Sequence, residues 1–434
     1  MWVCGEAVLM RALNLLHARV RRCMRFSCRI PPQYCECPCR RMRVCPLRRD
    51  VSLIVLLFGL TPTTFSFSAT SHDVSRTKAT RTHTHTHTNT HTHTHTHTHT
   101  PLFPARPMGS PLIAVIGPNP AFQKTLAFDE LRVDEVNRAA TVHSYTGGKG
   151  TNFCRASACC KESPHFCRTT LHTFVGGKTG ERVIDLLHQE GIAVYPVTVP
   201  AETRTCITCL DTQNSTMTEL IEPSAAVPDD AAKDMDRALL KALEHAGGMA
   251  IMGSLPDGSS PDLYTRWTEM AAAAQKPVLI DAVKGIEASL KVPGVHSILK
   301  VNMRELNKLT GQSTPESAFE YAMQMWTVRV LAVTDGPRSA YIQERGQPLQ
   351  VVHIPKVDGV VSPLGAGDTA DAIFLAKYIH GTTPVEAFRL ALAAASANCL
   401  QKEAGVFAQH EMRRIADGIT IGSSRPHSSS NTRA

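Results

Sequence analysis

A carboxylate placed directly after two glycines, where a helical pattern begins, can do more than close a turn. Gly365-Ala366-Gly367-Asp368 is such a run, and it leads into the apolar stretch Ala370–Ile379. The glycines let the backbone approach a ligand closely. Free N–H groups at a helix start, helped by the helix dipole, form a hole for an anion. In that hole Asp368 would oppose a bound phosphate unless it accepted a proton from an attacking hydroxyl while the hole stabilised the phosphoryl group in transfer. The plainer alternative is a glycine turn with Asp368 as an ordinary helix cap.

Two further constellations offer the same kind of choice. Asn302 and Glu305 follow the apolar run that ends in Lys300-Val301 and, three apart at a helix start, share a face. Oxygen ligands of this kind suit Mg²⁺ held through waters beside a nucleotide, but the same spacing also makes a capping box. Thr146-Gly-Gly-Lys-Gly-Thr-Asn152 exposes backbone N–H groups and adds the charge of Lys149, which suits a hydroxyl-rich or phosphorylated ligand. It is not a Walker loop, because His143 stands where the opening glycine is required. Gly177-Lys178-Thr179 comes nearer, but there the opening glycine is His172.

These runs sit at the ends of a regular alternation. Short apolar stretches at Pro111–Gly117, Met249–Gly253, Pro277–Asp281, Ser297–Val301 and Arg329–Thr334 read as buried strands. Helical patterns separate them at Glu181–Gln189, Asp229–His245, Pro261–Ala274, Arg304–Leu309 and Pro315–Trp326. Alternating strands and helices predict an α/β fold with a mostly parallel sheet covered on both faces. Thr383-Pro-Val-Glu386 has the cap, proline and glutamate of a helix start, with Gly381 closing the helix before it. Phe122–Tyr145 and Ala193–Leu220 break the rhythm with rough alternation of apolar and polar residues. Together they predict a small accessory sheet, placed as a lid over a cleft and drawn from about 118–146 and 193–222.

The 434 residues hold 46 Lys+Arg and 38 Asp+Glu, a formal charge of +8. Fifteen of the basic and four of the acidic residues fall in residues 1–110, leaving 31 and 34 in the remainder. The globular region is therefore mildly acidic, and the excess of charge is no signal of nucleic acid or membrane binding. Val51–Leu60 is too short to span a bilayer. Thr82–Thr100 is almost pure Thr-His alternation with no geometry for a metal, and a translated dinucleotide repeat accounts for it. Met108 begins Met-Gly-Ser-Pro just before the first strand pattern. We expect the native chain to start there, an expectation that any peptide from residues 1–100 in the endogenous protein would overturn. Residues 422–434 read as a disordered tail. Cys206 and Cys209, three apart in a strand pattern, point to opposite faces, so reduced, packed thiols and a reducing compartment are expected. That compartment is the cytoplasm, with organellar import through the Arg-rich leader as the alternative.

Taken in order, Gly147–Asn152, Gly253-Ser-Leu-Pro-Asp-Gly258, Lys300–Glu305 and Gly365–Asp368 make the chain resemble the PfkB-type carbohydrate kinases of the ribokinase-like fold over roughly residues 111–421. Asn119-Pro-Ala, Thr203-Arg-Thr205 and Thr218–Pro223 are most similar to 1-phosphofructokinases and tagatose-6-phosphate kinases. The resemblance implies a three-layer sandwich with a β-sheet lid, and an ATP-dependent, Mg²⁺-assisted transfer to a sugar or sugar phosphate, a hexose phosphate first. It makes Asp368 the base, with Gly365, Ala366 and Gly367 as its anion hole. It puts Asn302 and Glu305 around Mg²⁺, and Lys300, Thr334 and Gly336 on the nucleotide side. Asn119, Gln123, Gly147, Gly148, Lys149 and Asn152 would hold the sugar, with Lys149 and Arg204 facing any phosphate it bears. No nucleic acid or membrane partner is implied, and the lid edges could pair in a homodimer. One departure stands out: Gln123 occupies the position where phosphosugar kinases carry Asp, and an amide lacks the carboxylate's strength as an acceptor for hydroxyls. A kinase of an unphosphorylated sugar or nucleoside, and a sugar-binding regulator without catalysis, are the competing readings.

Overall fold

The structure, a computed structural model, describes residues 109–423 except Arg338. The leader up to Met108 and the tail from residue 424 lie outside the described residues.

Strand β1 (Leu112–Ile116) shows why the sequence folds this way. Ile113 and Val115 enter one core and Ala114 and Ile116 the other, all four fully buried. A strand that is apolar on both faces needs cover on both. On one face lie α1 (Lys149–Ala158), α2 (Gly177–Gln189), α7 (Ala366–Ile379), α8 (Pro384–Asn398) and α9 (Gln409–Gly418). On the other lie α3 (Asp229–Leu243), α4 (Asp262–Ala273), α5 (Met303–Thr310) and α6 (Pro315–Met325).

The sheet between them has ten strands in the order β14-β13-β12-β11-β10-β9-β8-β1-β4-β5. Those from β11 (Val330–Asp335) through β10 (Ser297–Asn302), β9 (Val278–Asp281), β8 (Ala246–Met252) and β1 to β4 (Arg168–Val175) and β5 (Val194–Thr198) run parallel. Three antiparallel strands, β12 (Ser339–Glu344), β13 (Gln350–His353) and β14 (Thr420–Ser423), extend one edge. The result is the expected three-layer sandwich with a mostly parallel sheet.

A separate four-stranded sheet, β3-β2-β6-β7, is built from β2 (Ala121–Phe128), β3 (Thr141–Gly147), β6 (Thr205–Asp211) and β7 (Thr216–Ile221). It matches the accessory sheet with one correction. Val194–Thr198, read as part of it, is the edge strand of the main sheet, parallel to β4, with Val194 and Val197 buried. The preceding helix α2 returns the chain to the main sheet as a crossover, and Pro196 is tolerated because only one side of an edge strand is paired. The tail boundary also shifts, since β14 continues to Ser423. Gly381 closes α7 with a positive φ, as expected. Thr383 starts α8 without a side-chain cap bond, and Glu386 pairs with Arg389 instead.

Helix α1 is pressed against the end of β1. A Cβ on Gly150 would lie 2.8 Å from both Gly117 Cα and Leu171 Cδ1. Gly150→Ala must push the helix outward and should cost about 1–3 kcal/mol, as overpacking does. A fall in the denaturation midpoint would register it; an unchanged midpoint would mean that the helix yields freely.

Candidate active site

The start of α7 is an open helix terminus. Gly365 caps it in the left-handed conformation (φ 76°), and a Cβ there would come within 2.6 Å of Gly405 N. Gly405 is itself left-handed (φ 78°), and its own Cβ would meet Asn152 O at 2.5 Å. Three backbone segments therefore converge where only glycine fits. No side chain among the described residues caps α7; Ala366 N donates to Pro363 O at 3.3 Å and Thr369 N to Gly365 O at 2.8 Å, which leaves the N–H groups of Gly367 and Asp368 without an intrahelical acceptor. Helix α2 differs. There the Glu202 carboxylate accepts from Thr179 N (3.0 Å) and Lys178 N (3.1 Å), bonds that hold its pKa below the usual carboxylate range. The near-match to a phosphate loop at Gly177-Lys178-Thr179 is thus filled by the protein's own anion.

Asp368 lies in the first turn of α7 and is buried. Asn152 Nδ2 donates to its Oδ2 at 2.8 Å. The amide is turned that way by Arg155, whose Nη1 donates to Asn152 Oδ1 at 2.9 Å while its Nη2 holds Thr146 O at 2.8 Å. Arg155, in turn, pairs with Glu190. Burial raises the Asp368 carboxyl to about 6; the charge of Asp281 adds to this, and Lys149, the Asn152 bond and Lys300 oppose it.

Behind Asp368 lies a network of buried charge. Asp281 ends β9 and is 2% exposed. Its Oδ1 receives Lys149 Nζ at 2.8 Å and its Oδ2 receives Lys300 Nζ at 3.3 Å. Lys300 Nζ also donates to Gly367 O (3.1 Å) and pairs with Asp371 Oδ2 (2.9 Å). Burial opposes the charge on Asp281, but Lys300 and Lys149 outweigh it and hold the carboxyl well below the ordinary range. Burial likewise opposes the charge on Lys300, yet Asp281 and Asp371 raise it. Asp281, Asp368 and Asp371 each place a carboxylate oxygen within 4.8 Å of the others, and the two ammonium groups supply the positive charge among them.

The other predicted residues are placed as follows. Asn302 and Glu305 form a complete capping box for α5, with both reciprocal bonds at 2.9 Å. The box uses Glu305 Oε2 and leaves Oε1 without a protein hydrogen bond, so an exposed carboxylate oxygen is available to a hydrated cation. Thr334 lies opposite Asn302 in the β10–β11 register, and Gly336 follows in a turn with φ 70°. Gln123 faces Gly147, where a Cβ would be 3.1 Å from its Oε1, and it donates to Thr208 Oγ1 at 2.9 Å. Asn119 Nδ2 donates to Ser224 Oγ at 3.2 Å. Arg204 Nη2 donates to Asn119 O at 3.0 Å, tying the Asn119 segment to the start of β6. Gly148 N-caps α1 with φ 125°. Sequence reasoning missed Asp281, Asp371 and Arg155; the first two carried a usable signal, as acidic residues closing or interrupting apolar runs.

Compared with known proteins, residues 114–411 match the pfkB family carbohydrate kinase. The chain belongs to that family. Solved structures agree on the fold. Phosphofructokinase-2 from Escherichia coli in complex with fructose-6-phosphate is 21% identical, with a TM-score of 0.63 over 71% of this chain and 99% of that one. A possible 1-phosphofructokinase from Thermotoga maritima is 19% identical, with a TM-score of 0.64 over 72% and 100%. Arabidopsis thaliana ribokinase complexed with ribose and ATP is 20% identical, with a TM-score of 0.56 over 71% and 99%. As a member of that family the chain is a carbohydrate kinase, a phosphotransferase with an alcohol group as acceptor. Family members use ATP, typically with Mg²⁺. The uncapped N–H groups of α7 and the free Oε1 of Glu305 fit a nucleotide phosphate and its cation. Among the described residues no helix is long and apolar enough to cross a membrane.

Lys300→Met removes the charge that two buried carboxylates share. Breaking such a network from one side should cost about 3–5 kcal/mol. Urea unfolding measures it, and a loss below about 1 kcal/mol would mean that water replaces the ammonium.

Proposed function

We propose that this kinase transfers the γ-phosphoryl group of ATP to a hydroxyl of a sugar or sugar phosphate, with Asp368 as the base. One observation carries the reading: a buried carboxylate stands at the uncapped start of α7, held by an amide from the Gly147–Asn152 loop. No structural need explains a buried Asp there, since Asp368 makes no capping bond. Asn152 and Lys149 would hold the sugar, and the α7 N–H groups would receive charge from the phosphoryl oxygens. Asp368 would collect the hydroxyl proton at Oδ1 or Oδ2. ATP with Mg²⁺, when bound, supplies the phosphoryl group and neutralises its charge; Glu305 and Asn302 would hold the hydrated cation and Lys300, Thr334 and Gly336 would line the nucleotide. The β3-β2-β6-β7 sheet would exclude water from the cleft.

A hexose phosphate is the favoured acceptor because Lys149 and Arg204 flank the sugar loop. A second reading, an unphosphorylated sugar, draws on a specific observation. Lys149 is already paired with Asp281 and Arg204 with the Asn119 carbonyl, so neither cation is held in reserve for a phosphate. Gln123 in the place of a carboxylate also weakens the case for a fructose-type acceptor. A panel of sugars and sugar phosphates, assayed for product with MgATP, decides between them. A phosphosugar kinase should lose activity with Arg204→Ala, and a kinase of plain sugars should tolerate it. Product from none of the panel would favour a non-catalytic sugar-binding protein.

Asp368→Asn should lower kcat by about 10²–10⁴ with substrate affinity largely kept. In the wild type, kcat/KM should rise with pH through about 6, as the raised Asp368 carboxyl ionises. Near-full activity in the Asn variant, or a rate that is flat between pH 5 and 7, would remove Asp368 from the role.

A further inference from the structure

The charges around Asp368 do not balance unless one carboxyl is neutral. Asp281, Asp368 and Asp371 are buried with an oxygen each within 4.8 Å of the others, and among the described residues the cations that face them are Lys149 and Lys300. Asp371 is the most enclosed of the three. It sits one turn into α7 with 0% exposure, and among the described residues the Lys300 ammonium, 2.9 Å from Oδ2, is the one N–H group that reaches either oxygen. Its neighbours are Lys300 Nζ on β10 and the carboxylate of Asp281 on β9. An ionised acid in that position would be repelled by Asp281 and would receive only a share of one ammonium. A protonated acid would instead donate its hydrogen to Asp281 and leave its carbonyl oxygen facing Lys300.

We propose that Asp371 is a neutral carboxylic acid that donates a hydrogen bond to Asp281 and so acts as a positioning residue for the site. Through Asp281 it steadies Lys149 at the sugar loop. Through Lys300 it steadies the Gly367 carbonyl, and with it the first turn of α7. The charge left is two carboxylates, Asp281 and Asp368, against two ammonium groups. Asp368 is thereby free to stay ionised in a sealed environment. Burial pushes the Asp371 carboxyl well above the carboxylate range; Lys300 opposes this and Asp281 adds to it.

The first test needs no substrate. A folded state that keeps Asp371 protonated loses stability relative to the unfolded chain as pH rises above the ordinary carboxylate pKa, because the unfolded chain gives up that proton and the folded one does not. Asp371→Asn copies the neutral acid and carries no such penalty. The melting temperature of the variant should therefore gain on that of the wild type steadily from pH 5 to pH 8. A difference, variant minus wild type, that stays constant or falls as pH rises would mean an ionised Asp371 and overturn the proposal. Infrared difference spectra of wild type against Asp371→Asn at pH 7 give a second reading: a protonated carboxyl band present only in the wild type is expected, and its absence is fatal.

The positioning role is tested with MgATP and the best acceptor from the panel, and only this arm rests on the proposed function. Asp371→Asn should keep kcat within about threefold and leave the acidic limb of the pH profile in place, whereas Asp371→Leu should lose about tenfold to a hundredfold through misplaced groups. An acidic limb moved downward in Asp371→Asn would reveal a lost negative charge and refute the assignment. Wild-type kcat in a folded Asp371→Leu would remove the positioning role.

Discussion

The segments that meet at Asp368 are tied together by a buried ion network with Asp281 at its centre. The carboxylate closes strand β9 at the edge of the cleft and takes one lysine on each oxygen, from α1 and from β10. Lys300 carries the link onward to the carbonyl of Gly367 and so to the start of α7. Burying charge in this way stabilises the protein little, because desolvation consumes most of the Coulombic gain. What it provides is registration. The Gly147–Asn152 segment and the start of α7, 216 residues apart in sequence at Asn152 and Asp368, are referred to a single fixed group.

The fold was readable because its strands are apolar on both faces. Runs such as Leu112–Ile116 and Val278–Asp281 have few alternatives to a covered parallel sheet. Strand β4 escaped notice for a physical reason. Arg168-Thr-Thr-Leu-His-Thr-Phe-Val175 carries three buried polar residues, Thr170, His172 and Thr173. Thr173 satisfies its hydroxyl on Gly117 O at 2.6 Å, a contact across strands that composition does not reveal. Strand β5, short and at the edge, read as part of the lid because an exposed residue follows each of its buried valines, as in a strand with one face open.

The site divides along a similar line. Gly365–Asp368 and Gly147–Asn152 declare themselves through glycine and charge in small windows, and the structure brings Asn152 onto Asp368. The Asn302–Glu305 pair was ambiguous in sequence between cap and cation site. The geometry accommodates both, since the box leaves one carboxylate oxygen unused. Asp281 and Asp371 close or interrupt apolar runs, which marks them as buried, but the role of each carboxyl shows only with the arrival of Lys149 and Lys300 from distant segments. Arg155 was missed for the same reason. Its task is to orient an amide, which is visible only once Thr146, Asn152 and Glu190 surround it.

Gly405 shows how late in the chain the site is finished. Its backbone is wedged between Gly365 and Asn152 at distances that exclude any side chain, yet it takes no part in the chemistry. Chain synthesis runs from the N-terminus, and elements pack as they emerge. Gly147–Asn152, Asp281 and Asp368 all leave the ribosome before the segment that wedges between Gly365 and Asn152, so the packing around Asp368 is completed only once Gly405 has emerged and docked.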